Sequence, residues 1–250
     1  MNGQYGLLVM YKLVGCDRLH KENLITTLIA LMIKKNTSRL LFLVVGLLGV
    51  TLVSAGWVRM NARYLTASLQ AEPMVLSVAM LAQSQAASCG EAAIAMVYNY
   101  AYPQTPILED AVIEYAVAED YYTASTTPYT SPVNMVNIAE YYADNIATGT
   151  VSTSSGGLTL LIKKLQSGEP VIIDVLSNFA NLQSEAHFIV VTGMSVDPNQ
   201  GNALVIHYND PFTGTEGITA WAGKEGVWNA WQHNGDPGGA GWWLVISTPE

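Results

Sequence analysis

The chain has 250 residues, half of them apolar and only 12% charged, with a formal net charge of −9 and a pI of about 4.8. That much apolar material supports a sizeable core and excludes disorder as the main state, while the acidic balance argues against nucleic acid as a partner. The two cysteines, Cys16 and Cys89, lie far apart, and neither has a second Cys or a His at zinc-finger spacing, which argues against a disulfide framework and a structural zinc site.

Charge divides the chain. Seven of the eleven basic residues (Lys12, Arg18, Lys21, Lys34, Lys35, Arg39, Arg59) precede residue 60, and eighteen of the twenty acids follow it. Residues 1–31 read as a doubtful N-terminal extension, in which 24–33 is apolar but too short to span a bilayer. Met32 is a candidate initiator, because MIKKNTSRLLFLVVGLLGVTLVSA has the charged start, apolar middle and small-residue end of a secretory signal. Nineteen uncharged residues, 40–58, follow the basic cluster. As a helix rising about 1.5 Å per residue they span roughly 28 Å, close to a bilayer core. The basic flank keeps its own side in the cytoplasm, so the rest of the chain is expected outside it, either anchored by residues 40–58 or released by cleavage near Ala55. The expected organisation is therefore an extension (1–31), a signal peptide or transmembrane anchor (32–58), a linker (59–74) and a folded domain (75–250).

Within the domain, residues 74–81 (MVLSVAML) are compatible with a strand. Cys89 then opens CGEAAIAMVYNYA, where Ala93, Met96, Val97 and Tyr100 recur at helical spacing. Ser88 and Glu91 form the S-x-x-E pattern of a capping box, which puts Cys89 in the first helical position. Further helices are predicted over 108–116, over 132–147 with Pro132 at its start, and over 158–165, with a polar, aromatic loop between the first two of these. After Ser167-Gly168 the period changes. Residues 170–176 read as a buried strand, 187–196 and 203–209 as a hairpin joined by DPNQGN, and WWLVIS as a last strand after a Gly- and Trp-rich stretch. Helices first and a small antiparallel sheet afterwards predict an α+β domain: a helical lobe, a sheet lobe and a cleft between them.

Chemistry centres on Cys89. A free thiol is only a few per cent thiolate at neutral pH, and a helix N-terminus together with an imidazolium activates it; a buried structural thiol is the alternative. Gly90 leaves room for a substrate backbone, and the Gln83 amide, six residues upstream, can donate to a developing oxyanion. Among four histidines, His187 begins an apolar strand after a polar loop, where its ring can face a cleft. His20 precedes the membrane segment, His207 lies within a strand and His233 in the Gly/Trp loop. Asp210 ends the paired strand and can reach His187, fixing its tautomer; Asn209 is the rival, and a turn-forming Asn-Asp-Pro the bland reading.

The ordered set of Gln83, Cys89-Gly90, AAIAMVYNYA, GEPVIID, HFIVVTGM and HYNDPFTG resembles the papain-like bacteriocin-processing peptidases, family thirty-nine of the cysteine peptidases, and more closely their stand-alone secreted relatives. The likeness runs from about Val75 to Ile246. It implies a papain-like fold and an exported or membrane-anchored cysteine peptidase that hydrolyses a peptide or isopeptide bond, with Cys89 as nucleophile, His187 as base, Asp210 orienting it and Gln83 in the oxyanion hole. No metal or cofactor is called for. The chain departs from the family at Ser88, where Asp is frequent, and at Glu91, where Pro or Val is common. It carries no Walker motif, so ATP-driven export is not expected of it. The alternative from another class is a catalytically silent papain-like binding module at the cell surface.

Overall fold

A computed structural model describes residues 73–122 and 129–248, which all belong to one compact unit, 64–250. The expected extension, the signal or anchor at 32–58 and nearly all of the linker lie outside the described residues. Among the described residues no helix is long and apolar enough to cross a membrane.

The elements in chain order are β1 (Met74–Val75), α1 (Cys89–Ala101), α2 (Glu109–Ala118), α3 (Pro132–Tyr142), β2 (Ile146–Thr150), α4 (Ser154–Gln166), β3 (Val171–Leu176), β4 (Ala186–Asp197), β5 (Ala203–Asp210), β6 (Thr215–Ala220), α5 (Val227–Gln232) and β7 (Trp242–Ile246). The strands form one sheet of order β2-β7-β3-β4-β5-β6, with β1 paired to β4, and every neighbouring pair is antiparallel. The mixed α+β class holds, but the layout differs from a helical lobe followed by a small sheet. Strands β1 and β2 come from the helical half of the sequence, and helices cover both faces.

Strand β3 shows why both faces are covered. All six of its residues are buried, and Val171, Ile172 and Ile173 alternate between two cores as side chains on a strand must. Ile172 joins Phe188, Val190, Trp242 and Leu244 beneath α1, α2 and α3. Val171, Ile173 and Val175 pack with Leu161 and Leu165 of α4 and Trp231 of α5 on the other side. The Trp231 indole N–H donates to the Trp242 carbonyl at 2.6 Å, tying α5 to β7.

Local chemistry accounts for where elements begin, and distant pairing for where they end. Ser131 caps α3 by accepting from the Asn134 N–H, with Pro132 in the first turn, and Thr153 caps α4 by accepting from the Gly156 N–H. Helix α3 stops at Tyr142 rather than continuing to 147, because Ile146–Thr150 instead pairs with β7 in the register Ile146↔Ile246 to Thr150↔Trp242. Helix α4 starts four residues before the expected 158: a Cβ at Gly157 would lie 2.8 Å from the Trp228 ring, so this glycine serves close packing inside the helix. The strand expected over 74–81 shrinks to Met74–Val75. It docks beside Gly193, where a Cβ would come within 2.4 Å of the Met74 carbonyl oxygen.

Candidate active site

Cys89 is the first residue of α1, and the loop before it is held by a carboxylate that the sequence pattern did not single out. Ser88 is the N-cap by position but makes no capping bond. Its hydroxyl instead donates to Glu109 Oε1 at 2.6 Å, and the Ser84 N–H donates to Glu109 Oε2 at 2.9 Å. The expected Ser88–Glu91 capping box is thus not formed, because the buried Glu109 at the start of α2 is a charged and stronger acceptor for the hydroxyl. Glu91 turns into the core, is fully buried and accepts from Thr130 Oγ1 at 2.6 Å. Burial pushes its carboxyl up to about 7, against the lowering effect of the Thr130 bond. Without a side-chain cap, the first N–H groups of α1 keep their donor capacity at the Cys89 end.

Gln83 stands at the other end of this loop. Its main-chain N–H donates to the Pro211 carbonyl at 2.9 Å, and one side-chain N–H donates to the Gln85 carbonyl at 2.7 Å. The second amide hydrogen remains available, whereas Oε1 is buried without a partner.

His187 comes from the start of β4 and Asp210 from the end of β5, and these strand ends lie side by side because the two strands run antiparallel. His187 Nε2 lies 2.7 Å from Asp210 Oδ1. The same oxygen accepts from the Phe212 N–H at 2.9 Å, so the turn after β5 fixes the carboxylate. Cys89 and His187 line the same cleft with no hydrogen bond between them, and with Nε2 committed to Asp210 it is Nδ1 that remains for the sulfur. Burial opposes a charge on the ring, but the Asp210 hydrogen bond and the Cys89 contact outweigh it and push His187 up to about 10. Asp210 is held below its ordinary range: burial would raise it, and the His187 bond and charge win. Asn209 is not at this site. It is buried, and its amide donates to the Val78 carbonyl at 3.1 Å.

Gln83, Cys89 and His187 line one cleft of about 930 Å³, with Phe212 on its rim, 69% exposed and edge-on to the His187 ring. Gly90 also lines it, but what demands glycine there is packing: a Cβ would meet Met135 Sδ at 2.5 Å and Phe188 at 3.3 Å. The other histidines lie elsewhere. His207 Nε2 pairs with Ser195 Oγ at 2.7 Å, the exposed His233 pairs with the Asn229 carbonyl, and His20 falls outside the described residues.

Three residues of the cleft and its wall went unread in the sequence: Tyr129, Asp236 and Asp174. Tyr129 follows the loop after α2, and its hydroxyl donates to Asp236 Oδ1 in the loop between α5 and β7. Asp174, fully buried in β3, lies against Asp236. An acid within an otherwise β-branched strand was the one available signal, visible as the single charge in PVIIDVL. Among the described residues, no group of three or more His, Cys, Asp or Glu side chains has the arrangement to hold a metal ion.

A family model described as the Peptidase_C39 like family matches residues 75–237. A search of the curated proteins finds no match to the chain.

Proposed function

The chain belongs to the Peptidase_C39 like family, and on that premise we propose that it is a thiol peptidase that hydrolyses a peptide or isopeptide bond through Cys89, His187, Asp210 and Gln83. The observation that carries this reading is the 2.7 Å contact of His187 Nε2 with Asp210 Oδ1, which leaves Nδ1 for a thiol at the head of a helix, in an open cleft. A merely structural thiol has no need of a histidine–carboxylate pair beside it.

The chemistry runs in two halves. The thiol proton passes to His187 Nδ1 before the sulfur attacks the substrate carbonyl, and Asp210 accepts the Nε2–H and stabilises the imidazolium. The Cys89 N–H and the free Gln83 amide hydrogen hold the oxyanion of the tetrahedral intermediate. His187 gives its proton to the departing amine, leaving a thioester on Cys89. Water then enters, loses a proton to His187 and attacks the thioester, and His187 returns that proton to the sulfur as the acid leaves. The elevated proton affinity of His187 favours the imidazolium that donates to the departing amine and, in the second half, to the sulfur.

A library of internally quenched peptides, read by mass spectrometry, tests the reading. Wild-type protein is expected to cleave members of it, and Cys89→Ala to cleave none; equal cleavage by both proteins, or none by either, contradicts it. Product analysis with an added amine separates hydrolysis from acyl transfer.

The same proposal places the domain outside the cytoplasm, on the strength of the nineteen uncharged residues 40–58 behind Lys34, Lys35 and Arg39. Native protein is expected either in the membrane fraction or in the medium with an N-terminus just after Ala55. Recovery of the full chain from the cytosol contradicts export.

A further inference from the structure

The mechanism uses one carboxylate, Asp210, yet the cleft holds a second acidic centre. Asp236 lines it with Tyr129 and Asn234. It is 9% exposed, and only one of its oxygens has a partner, the Tyr129 hydroxyl; Oδ2 has none. Behind it lies Asp174, 0% exposed, with neither carboxylate oxygen hydrogen-bonded. The His187 main-chain N–H approaches Asp174 without meeting hydrogen-bond geometry.

Two carboxyl groups in contact, buried, with three oxygens unpartnered, are costly unless a proton or a cation joins them. The described residues supply no cation. Their only basic side chains besides histidine are Lys163, Lys164 and Lys224; the first two lie on α4, on the far face of the sheet, and none of the three lines the cleft. Every charged side chain that does line it, Glu185 and Asp236, is acidic, apart from His187 itself. The site is also built. Asn234 donates to the Asp174 carbonyl at 2.8 Å and accepts from the Asp236 N–H at 3.0 Å. Gly239 is pressed so closely that a Cβ would lie 2.2 Å from Asp174 Oδ2. The centre adjoins the nucleophile as well: Asp174 pairs across the strands with Phe188, the neighbour of His187, and Asp236 lines the same cleft as Cys89.

We propose that Asp236, backed by Asp174, is a subsite beside Cys89 that receives a cationic group of the substrate, an ammonium or guanidinium. This rests on the peptidase reading and assigns the substrate class to it: peptides carrying a positive charge close to the scissile bond. The cation takes up the contact that the Tyr129 hydroxyl makes with Asp236, and Tyr129 is 42% exposed. Burial raises the proton affinity of both acids, and the Asp236 carboxyl raises that of Asp174 further, so an arriving cation replaces a proton as the positive partner of the pair.

The test uses thiol-directed acyloxymethyl ketones on the full chain. Each N-acetylated tripeptide reagent carries lysine at one of its three positions among alanines and is matched by the norleucine reagent of the same shape; an unacetylated trialanine reagent tests a free α-amine as the source of charge. Alkylation of Cys89 is timed by intact mass. At one position lysine is expected to react about tenfold faster than norleucine. That ratio falls toward one in Asp236→Asn and at raised ionic strength. A trialanine reagent faster without its acetyl group, in the same Asp236-dependent way, makes the α-amine the ligand. A ratio near one everywhere, or one that Asp236→Asn leaves standing, overturns the subsite while leaving the peptidase intact. Failure of every reagent, norleucine included, overturns the peptidase reading and the subsite with it. If Asp236→Asn does not fold by circular dichroism, Asp174→Asn, which keeps the Tyr129 contact, is read in its place.

Discussion

Two buried groups, Glu91 in the first turn of α1 and His187 at the start of β4, make stability depend on pH in a way single substitutions expose. Glu91 is raised from 4.5 to about 7, so between those values the folded chain binds more protons than the unfolded one, and stability falls as pH rises through that window. Glu91→Gln keeps an acceptor for Thr130 and removes the titration. It is expected to gain up to about 3 kcal/mol at pH 8 relative to its effect at pH 4; urea unfolding at the two pH values measures this, and an equal effect at both contradicts it. His187 works in the same direction. Raised from 6.5 to about 10, it contributes stability that is fully present below 6.5 and is lost as pH rises through about 10. His187→Gln should therefore flatten the stability profile across that alkaline range, and an unchanged slope there would show that the ring is not held as an imidazolium. Asp210→Asn keeps the shape of the contact and removes its charge, so peptide cleavage should fall about 10²–10⁴-fold with folding intact.

The loop from Gln83 to Ser88 delivers both the proposed oxyanion donor and the nucleophile, and Glu109 of α2 is its anchor. Glu109→Ala leaves the Ser84 N–H and the Ser88 hydroxyl without their carboxylate, at a cost of about 1–3 kcal/mol for each donor that stays buried. Because the residue positions rather than touches substrate, kcat is expected to fall with KM little changed, and Glu109→Gln to restore much of it; a variant that is destabilised with kcat intact contradicts the positioning role. Elements announced by local chemistry are legible in the amino-acid order alone. Cys89 at the head of α1, Pro132 starting α3 and the β4–β5 hairpin all follow from short-range pattern. The convergence of Gln83, Cys89 and His187 on one cleft with Asp210 behind the ring joins distant parts of the chain, and the resemblance of the ordered set, rather than any local pattern, is what singles these four out. What escapes such reading depends on partners far along the chain. Ile146 and Ala147 continue the helical spacing of 132–147 and become part of β2 only because β7 pairs with them. Tyr129 and Asp236 meet across 107 residues, and nothing near either predicts it. The Ser88–Glu91 box fails for the same reason, since Glu109 lies 21 residues beyond Ser88.

At the scale of the whole domain, two cores share one sheet, and β3 contributes side chains to both. Neither core can lose its packing without exposing the other face of β3, so the domain should unfold in one step. Tryptophan emission, weighted to Trp221, Trp228 and Trp231 near α5, and far-ultraviolet dichroism, weighted to the helices, should give coincident denaturation curves. Separated midpoints would mean that the two faces melt independently. The sheet also positions the cleft: α1 lies on one face with Cys89 at its head, while β4 and β5 carry His187 and Asp210 at their adjoining ends. The measurement that bears most directly on the proposed chemistry is the rate at which iodoacetamide alkylates Cys89 at neutral pH. The wild-type chain should react far faster than free cysteine, and His187→Ala should lose most of that advantage; a slow thiol, equally slow in both proteins, would contradict the account.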